Sequence, residues 1–343
     1  MGEPPQLHRL VETILGHSAA RDTLEALRMS PALLNPSGAD GRVSRAVAAM
    51  ALNILLFHDL LARAPTAAAY VADRRADGAG VVFDHGALRT IRFKEGPTGA
   101  LPPGEAAFTR VLEPLGYALA GVYPLDRLGM TGRAYAQEDF PEDVPQFFLS
   151  ELHVDRFSAP FQAAAHAVFD SSSDPLDPVS LADLGQLRAK GELEMAAAIR
   201  LLSVLASVFG RRHAVPRLAD YRTLLGESAE AAWIATEGNA FNHATDRVSD
   251  VDALAQAQRA LGRPMKPAVE ISASGRVRQT AFRADPVERS FLDDSGGEVR
   301  MSAPGSFYEF ITRDVEAEAG RIDLRFDSSN AQGIFKMTQV QGA

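Results

Sequence analysis

Gly80-Val81-Val82-Phe83-Asp84-His85-Gly86-Ala87-Leu88-Arg89-Thr90-Ile91-Arg92-Phe93 is the stretch on which the fold turns. Its β-branched and aromatic residues fit a pleated, half-buried surface, and its alternation is too regular for a helix. It predicts a strand. A period of two sets His85, Ala87 and Arg89 on one side and Asp84, Gly86 and Leu88 on the other. At about 3.3 Å per residue, His85 and Arg89 stand about 13 Å apart, with the small Ala87 between them. A small molecule could lie between an imidazole and a guanidinium so spaced, and the planar fork of arginine suits a carboxylate. The alternative is an edge strand carrying two solvated polar side chains.

Downstream, Gly96 to Gly104 reads as a turn, Glu105 to Leu115 as a helix, and Tyr117 to Tyr123 and Gln146 to Val154 as strands. Upstream, Leu7 to Leu15 and Val43 to Leu61 carry apolar residues at helical spacings, separated by the break Asn35-Pro36-Ser37-Gly38. Residues 157–226 turn helical again, with alanine-rich segments at Phe161 to Phe169 and Glu192 to Val208. Within them, Asp170-Ser171-Ser172-Ser173-Asp174-Pro175 is expected to be a mobile loop. Short strand candidates follow at Ala268 to Ser272, Val277 to Phe282, Ser306 to Ile311 and Ile322 to Phe326. No internal repeat stands out by identity. The expected class is α+β, with helices covering a sheet. The expected organisation is a helical N-terminal segment, 1–75, packed on an α+β core, 76–343, that carries a helical insertion at about 157–226.

Composition narrows the chemistry. The 343 residues include 35 Lys and Arg against 44 Asp and Glu, a formal charge of −9. That balance argues against a nucleic-acid partner, which calls for a basic surface. With 46% hydrophobic and 23% charged residues, the chain has globular and not disordered proportions. It contains no cysteine, which excludes disulfides, thiolate zinc sites, iron–sulfur clusters and cysteine nucleophiles. The start, Met1-Gly2-Glu3-Pro4-Pro5, lacks the basic-then-apolar order of a signal peptide. The longest apolar run, Ala46 to Phe57, includes Asn53 and is too short to cross a bilayer. A soluble, cytoplasmic protein is the expectation, with no membrane or nucleic-acid partner.

Of the eight histidines, His8, His17, His58, His166 and His213 lie in helical or surface-like contexts and read as solvated or packed. His85, His153 and His243 sit beside polar groups in strand or strand-to-loop segments. Glu309 lies in the aromatic strand Gly305-Ser306-Phe307-Tyr308-Glu309-Phe310-Ile311, where a buried carboxylate needs a cation. That cation is either a metal or Arg313. His243 follows Gly238-Asn239-Ala240-Phe241-Asn242, read as a loop that delivers an imidazole into a cleft. Two histidines and one carboxylate form the facial set that suits non-haem Fe(II) and leaves positions open. Glu151, His153 and Asp155, sharing one face of a strand, make a rival cluster. Spacing does not choose between the two.

The motifs are similar to those of a known family. Asp84-His85-Gly86-Ala87-Leu88-Arg89-Thr90 resembles the signature of the 2-oxoadipate dioxygenase/decarboxylase family. Three further segments agree in order: Gln146-Phe147-Phe148-Leu149-Ser150-Glu151-Leu152-His153, Gly238-Asn239-Ala240-Phe241-Asn242-His243 and Gly305-Ser306-Phe307-Tyr308-Glu309-Phe310. A closing Ser329-Asn330-Ala331-Gln332-Gly333-Ile334-Phe335 is also similar, although Lys336-Met337 replaces an acidic residue and a serine. The resemblance covers residues 40–340 approximately. It implies a vicinal-oxygen-chelate-like fold, in which paired βαβββ units curl into a half-barrel that holds a metal. It implies Fe(II) held by His85, His243 and Glu309, with Arg89 on a substrate carboxylate, and gives Glu151 and His153 a supporting part. The implied reaction uses O2 to convert 2-oxoadipate to 2-hydroxyglutarate and CO2, a step of lysine breakdown. Within the same fold group, a non-oxidative metal isomerase or lyase is the alternative, and a non-catalytic binding protein a third reading.

Overall fold

The computed structural model describes residues 5–34, 41–316 and 320–326. The opening stretch forms the central strand β1 (Phe83–Arg92), buried along its length except at Arg92. A short helix, Ala106–Leu112, leads to β2 (Tyr117–Leu125), β3 (Met130–Gln137) and β4 (Gln146–His153). After a helical stretch come β5 (Phe241–Arg247), the helix Val251–Ala260, β6 (Glu270–Ile271), β7 (Val277–Ala281) and β8 (Phe307–Arg313). These strands build one eight-stranded sheet in the order β2-β3-β4-β1-β5-β8-β7-β6, curled into a half-barrel.

The order reveals a duplication. Each half is a βαβββ unit whose first strand runs parallel to its last, β1 to β4 and β5 to β8. The halves meet where β1 and β5 pair antiparallel. Superposing them by topology aligns Phe83-Asp84-His85-Gly86-Ala87-Leu88-Arg89 with Phe241-Asn242-His243-Ala244-Thr245-Asp246-Arg247. Three identities in so short a stretch are invisible as a repeat until the topology aligns them.

One face of the sheet, through Leu88, Phe147, Leu149, Tyr308 and Phe310, packs on the helix Arg45–Arg63. Ser44 caps that helix, its Oγ accepting from the Val47 N–H at 3.3 Å. By length and composition the 19-residue helix could cross a membrane, but 72% of its apolar window is buried inside the fold, as in a core helix. The other, inner face is closed at one end by a second core. There Ile91 and Leu152 meet the helices Ala159–Phe169, Leu218–Glu227 and Ala229–Glu237.

Several expectations change. The strand expected at Ile322 to Phe326 shrinks to Arg321–Ile322, laddered to Val315–Glu316, and irregular chain continues to Phe326. Only Glu270–Ile271 of the strand expected at Ala268 to Ser272 forms. The alanine-rich segment from Glu192 begins as a strand, Glu192–Glu194, paired with Arg42–Ser44, before the helix Met195–Val208. Unexpected elements are β3, β5, the helices Ala229–Glu237 and Val251–Ala260, and the hairpin Pro286–Leu292/Glu298–Pro304. The loop expected to be mobile is fastened: Asp174 meets Arg110 at 2.7 and 2.8 Å, and the Ala100 N–H donates to the Ser172 carbonyl at 2.8 Å. The break Asn35-Pro36-Ser37-Gly38 and the motif from Ser329 through Met337 lie outside the described residues.

Candidate metal centre

Strand register assembles the site. β5 places Thr245 opposite His85 and His243 opposite Ala87. On its other side, β8 sets Phe307 beside His243 and Glu309 beside Thr245. Paired residues share a face, so His85, His243, Thr245 and Glu309 converge on the inner face of the half-barrel. His243 is therefore delivered by a central strand and not by a loop. Gly238, at φ +66°, makes the entry to that strand, and a Cβ there would stand 2.2 Å from the Arg211 Cα.

His85 Nε2 and His243 Nε2 each lie 3.2 Å from Glu309 Oε2. The Thr245 hydroxyl donates to the same oxygen at 2.8 Å and lies 3.1 Å from His85 Nε2. One ligand atom from each of His85, His243 and Glu309 falls within 4.8 Å of the others, and all three residues are buried. Glu309 Oε1 is buried without a hydrogen-bond partner. A carboxylate oxygen left so is costly unless a cation meets it. Two imidazole nitrogens, a carboxylate and an unpartnered oxygen on one point fit a divalent metal.

Both rings are oriented from behind. Asp84 Oδ1 lies 2.8 Å from His85 Nδ1. Strict alternation would have sent Asp84 to the opposite side, but a bulge between Phe83 and His85 breaks the register and lets it reach the ring. Asp84 also accepts from Arg313 Nε and Nη2 at 2.9 to 3.1 Å. Arg313 is thus the partner of Asp84 and not of Glu309. Its Nη1 holds the carbonyls of Asp323 and Arg325 at 2.9 and 2.8 Å. Behind His243, the Asn242 carboxamide lies 2.9 Å from Nδ1, with its oxygen buried and unpartnered. Turning the amide over lets that oxygen accept from Nδ1–H. Each histidine then turns its Nε2 to the common centre, where a metal would take the place of the proton.

Charge follows geometry. Burial alone would raise the Glu309 carboxyl, but hydrogen bonds from His243 and His85 hold it at about 2. Burial would lower His85, yet Asp84 and Glu309 raise it; burial wins at His243, which is lowered. Burial would raise Asp84, and Arg313 and His85 drive it well below the carboxylate range.

Beyond Ala87, Arg89 is fully buried, with Nη1 2.8 Å from Glu230 Oε2 and its guanidinium 5.0 Å from the centre of the Trp233 ring. The contact with Glu230 is an ion pair whose angles fall outside those of an aligned hydrogen bond. Glu230 gave no signal in an alanine-rich helical sequence, and only the closure of the half-barrel by Ala229–Glu237 brings it to Arg89. On the opposite side the Phe326 ring stands 4.8 Å from His85 and packs with Phe148 and Tyr123. A cavity of about 390 Å³ opens there, lined by Tyr123, Ala134, Gln146 and Asp323 among others.

Glu151 and His153 lie on the other face of the sheet, next to the helix Ala106–Leu112. Glu151 accepts from the Glu105 N–H at 2.6 Å and from Arg133 at 3.3 Å, and His153 Nε2 lies 2.8 Å from Thr131 Oγ1. Asp155 falls beyond the end of β4 and does not share their face. Among the described residues the one metal-competent group is His85, His243 and Glu309. His213 is packed, not solvated, its Nε2 2.9 Å from the Ala235 carbonyl, and burial lowers it to about 4.

The duplication marks a fourth position. Glu309 lies beside Thr245 in the second half as Phe148 lies beside Ala87 in the first. Phe148 therefore stands where a symmetric site would carry another carboxylate.

A curled sheet of two βαβββ halves with a ligand cluster on its inner face defines an enzyme fold of the glyoxalase, or vicinal-oxygen-chelate, class. A glyoxalase superfamily protein from Ralstonia eutropha JMP134 has the same structure at a TM-score of 0.90 and 54% identity, over 95% of this chain and 100% of that one. The hydroxyglutarate synthase from Oryza sativa, solved in complex with 2-oxoadipate, shares the fold at a TM-score of 0.65 and 20% identity, over 86% of this chain and 93% of that one. That from Pseudomonas putida with 2-oxoadipate gives 0.56 and 19%, over 88% and 75%. No curated protein matches the chain. The chain belongs to the 2-oxoadipate dioxygenase/decarboxylase family, whose sequence pattern matches residues 58–336. It is an enzyme of the dioxygenase/decarboxylase type.

Proposed function

We propose that the enzyme uses Fe(II) and O2 to decarboxylate a 2-oxo dicarboxylic acid and hydroxylate the same molecule, converting 2-oxoadipate to 2-hydroxyglutarate and CO2. Atoms balance: the two oxygen atoms of O2 are divided between the new carboxylate and the new hydroxyl, and no separate co-substrate is consumed. The observation that carries this reading is the buried His85–His243–Glu309 cluster with Glu309 Oε1 unpartnered. Bound there, Fe(II) would supply chelation of the 2-oxo acid and activation of O2. The protein's own groups do the rest. Asp84 and Asn242 hold the two histidine rings with Nε2 inward, and Thr245 fixes the rotamer of Glu309. Phe148, Phe307 and Phe326 keep water from the reacting end, Phe307 standing 4.8 Å from the His243 ring. Arg89 sits beyond Ala87 at the far end, where it would bind the distal carboxylate and set chain length. The ligands named in the Oryza and Pseudomonas structures support this choice of substrate.

The test is oxygen uptake and CO2 release by anaerobically purified protein reloaded with Fe(II) and given 2-oxoadipate. Equal uptake and release, absent with Zn(II), is the expected result. Turnover with Zn(II) and without O2 would instead mean a non-oxidative isomerase or lyase.

A further inference from the structure

Glu309 brings two oxygens to the centre, and they are not equivalent. Oε2 accepts from the Thr245 hydroxyl at 2.8 Å, whereas Oε1 is buried without a hydrogen-bond partner. In the sheet Glu309 lies between Thr245 of β5 and Ala281 of β7, so Thr245 is the strand neighbour with a side-chain donor to give. Thr245 is 0% exposed, and a β-branched side chain so packed is stiff at χ1. Its hydroxyl has one proton and also stands 3.1 Å from His85 Nε2. With a metal on that nitrogen, Glu309 Oε2 is the acceptor left to the proton.

The first half of the fold offers a comparison. There Ala87 stands where Thr245 does, and Phe148 beside it where Glu309 does. The half that lacks the carboxylate lacks the hydroxyl too. Thr245 and Glu309 therefore go together as a pair, on the half that supplies the anionic ligand.

How many oxygens Glu309 gives decides what else the ion can hold. A six-coordinate ion held by two histidines and one carboxylate oxygen keeps three positions open. A 2-oxo acid chelated through its carboxylate and keto oxygens fills two, and the third remains for O2. Carboxylates also bind metals through both oxygens, and Glu309 bound so would take that third position. We propose that Thr245 is a positioning residue that confines Glu309 to one metal-bound oxygen, and so keeps open the position O2 needs once the 2-oxo acid is chelated. This role rests on the reading above, in which a 2-oxo acid and O2 share one metal.

The test is nitric oxide binding to the Fe(II)-loaded enzyme in the absence of O2, read by electron paramagnetic resonance with and without saturating 2-oxoadipate. Nitric oxide stands in for O2 and needs one open position. The wild type is expected to bind it in both states. Thr245→Val keeps the shape and removes the hydroxyl. It should bind nitric oxide without 2-oxoadipate, and at least about tenfold more weakly with it, the worth of one hydrogen bond to a charged group. Thr245→Ser retains the hydroxyl and should retain wild-type binding. X-ray absorption of the Mn(II)-loaded protein checks the contact without substrate, because the Glu309 carboxyl carbon comes closer to the ion when both oxygens bind. One oxygen is expected in the wild type and two in Thr245→Val. A Val variant whose 2-oxoadipate complex binds nitric oxide as the wild type does would overturn the role of Thr245 and leave the proposed function standing. So would a wild-type ion bound by both Glu309 oxygens, which decides the matter even if the Val variant does not fold. If 2-oxoadipate does not bind the wild-type iron, the proposed function fails, and the X-ray absorption comparison still judges whether Thr245 limits Glu309 to one oxygen.

Discussion

Asp84→Asn separates what holds the fold from what holds the metal. Asp84 does two jobs: its Oδ1 faces His85 Nδ1 at 2.8 Å, and its carboxylate receives Arg313 at 2.9 to 3.1 Å. Asparagine keeps the shape, and its carboxamide oxygen can still accept from Nδ1–H, as Asn242 does for His243. It cannot balance Arg313, whose side chain is 0% exposed. Leaving that charge buried without its partner costs about 3–5 kcal/mol of folding stability. Loss of the anion behind His85 also lowers ring basicity, and such supporting partners are worth about 10–100-fold in metal affinity. Because one neutral acceptor remains, the effect belongs near the lower end of that range. The assay is urea unfolding of metal-free protein alongside a competitive chelator titration. Adding Arg313→Met to Asp84→Asn removes the orphaned cation but also the donor to the Asp323 and Arg325 carbonyls, so part of the stability returns while metal affinity stays low. A single variant that loses less than about 1 kcal/mol would refute the argument that Arg313 depends on Asp84. A double variant that regains full metal affinity would show that the ring needs no anion behind it.

Three further outcomes follow from the same geometry. Phe148→Glu places a carboxylate at the symmetric fourth position, so metal should bind more tightly while oxygen-dependent turnover falls by at least about tenfold, read by chelator competition and oxygen uptake. Glu151→Gln should lose stability, from the broken contacts with Glu105 and Arg133, yet keep its metal on elemental analysis; loss of the metal would revive the rival cluster. His213, lowered to about 4 by burial, binds fewer protons folded than unfolded, so the stability it contributes is present above the unfolded value and is lost as pH falls toward 4. The shift corresponds to about 3 kcal/mol, and in His213→Gln the difference in urea midpoint between pH 7 and pH 5 should shrink accordingly.

How much of this was legible before the structure depends on how local each signal was. β1 and β8 could be read because β-branched and aromatic residues alternate with polar ones along them, and the alanine-rich helices because their period repeats over several turns. β3, Met130–Gln137, was missed since its Gly132, Arg133 and Gln137 dilute any alternation. β5 was missed because Gly238-Asn239 and Asn242 read as turn residues, whereas Asn242, Thr245 and Asp246 are buried, Thr245 bonded across strands to Glu309 and Asp246 accepting from the Tyr70 hydroxyl. The ligand candidates were visible as polar residues in apolar runs, but spacing alone left them level with Glu151 and His153. What separated the two sets is the face of the sheet, which sequence parity cannot supply without knowing which face the core helix covers. Asp84 was assigned to the wrong side because a bulge leaves no trace in composition. Glu230 could not be foreseen, since its meaning comes entirely from Arg89.

The duplicated architecture explains why the site is lopsided and why that matters. Two copies of a strand reading Phe-Asp-His or Phe-Asn-His cross at the centre and supply one histidine each. Were the copies equal, the fourth strands would supply one carboxylate each, and a four-ligand site would leave little room for a bidentate substrate and O2. Phe148 in place of the second carboxylate keeps that room. The same inequality runs behind the ligands: the first histidine has a charged partner, Asp84, and the second a neutral one, Asn242. The equivalent arginines have also diverged. Arg247 lies 3.9 Å from Asp84 and donates to the Glu142 carbonyl at 2.9 Å, on the structural side of the site. Arg89 stays on the inner face beyond Ala87 and is met there by Glu230. A nearly symmetric scaffold thus gains a direction, from Phe326 through the His85–His243–Glu309 cluster to Arg89, and on the proposed function an extended 2-oxo acid would bind along it in one orientation.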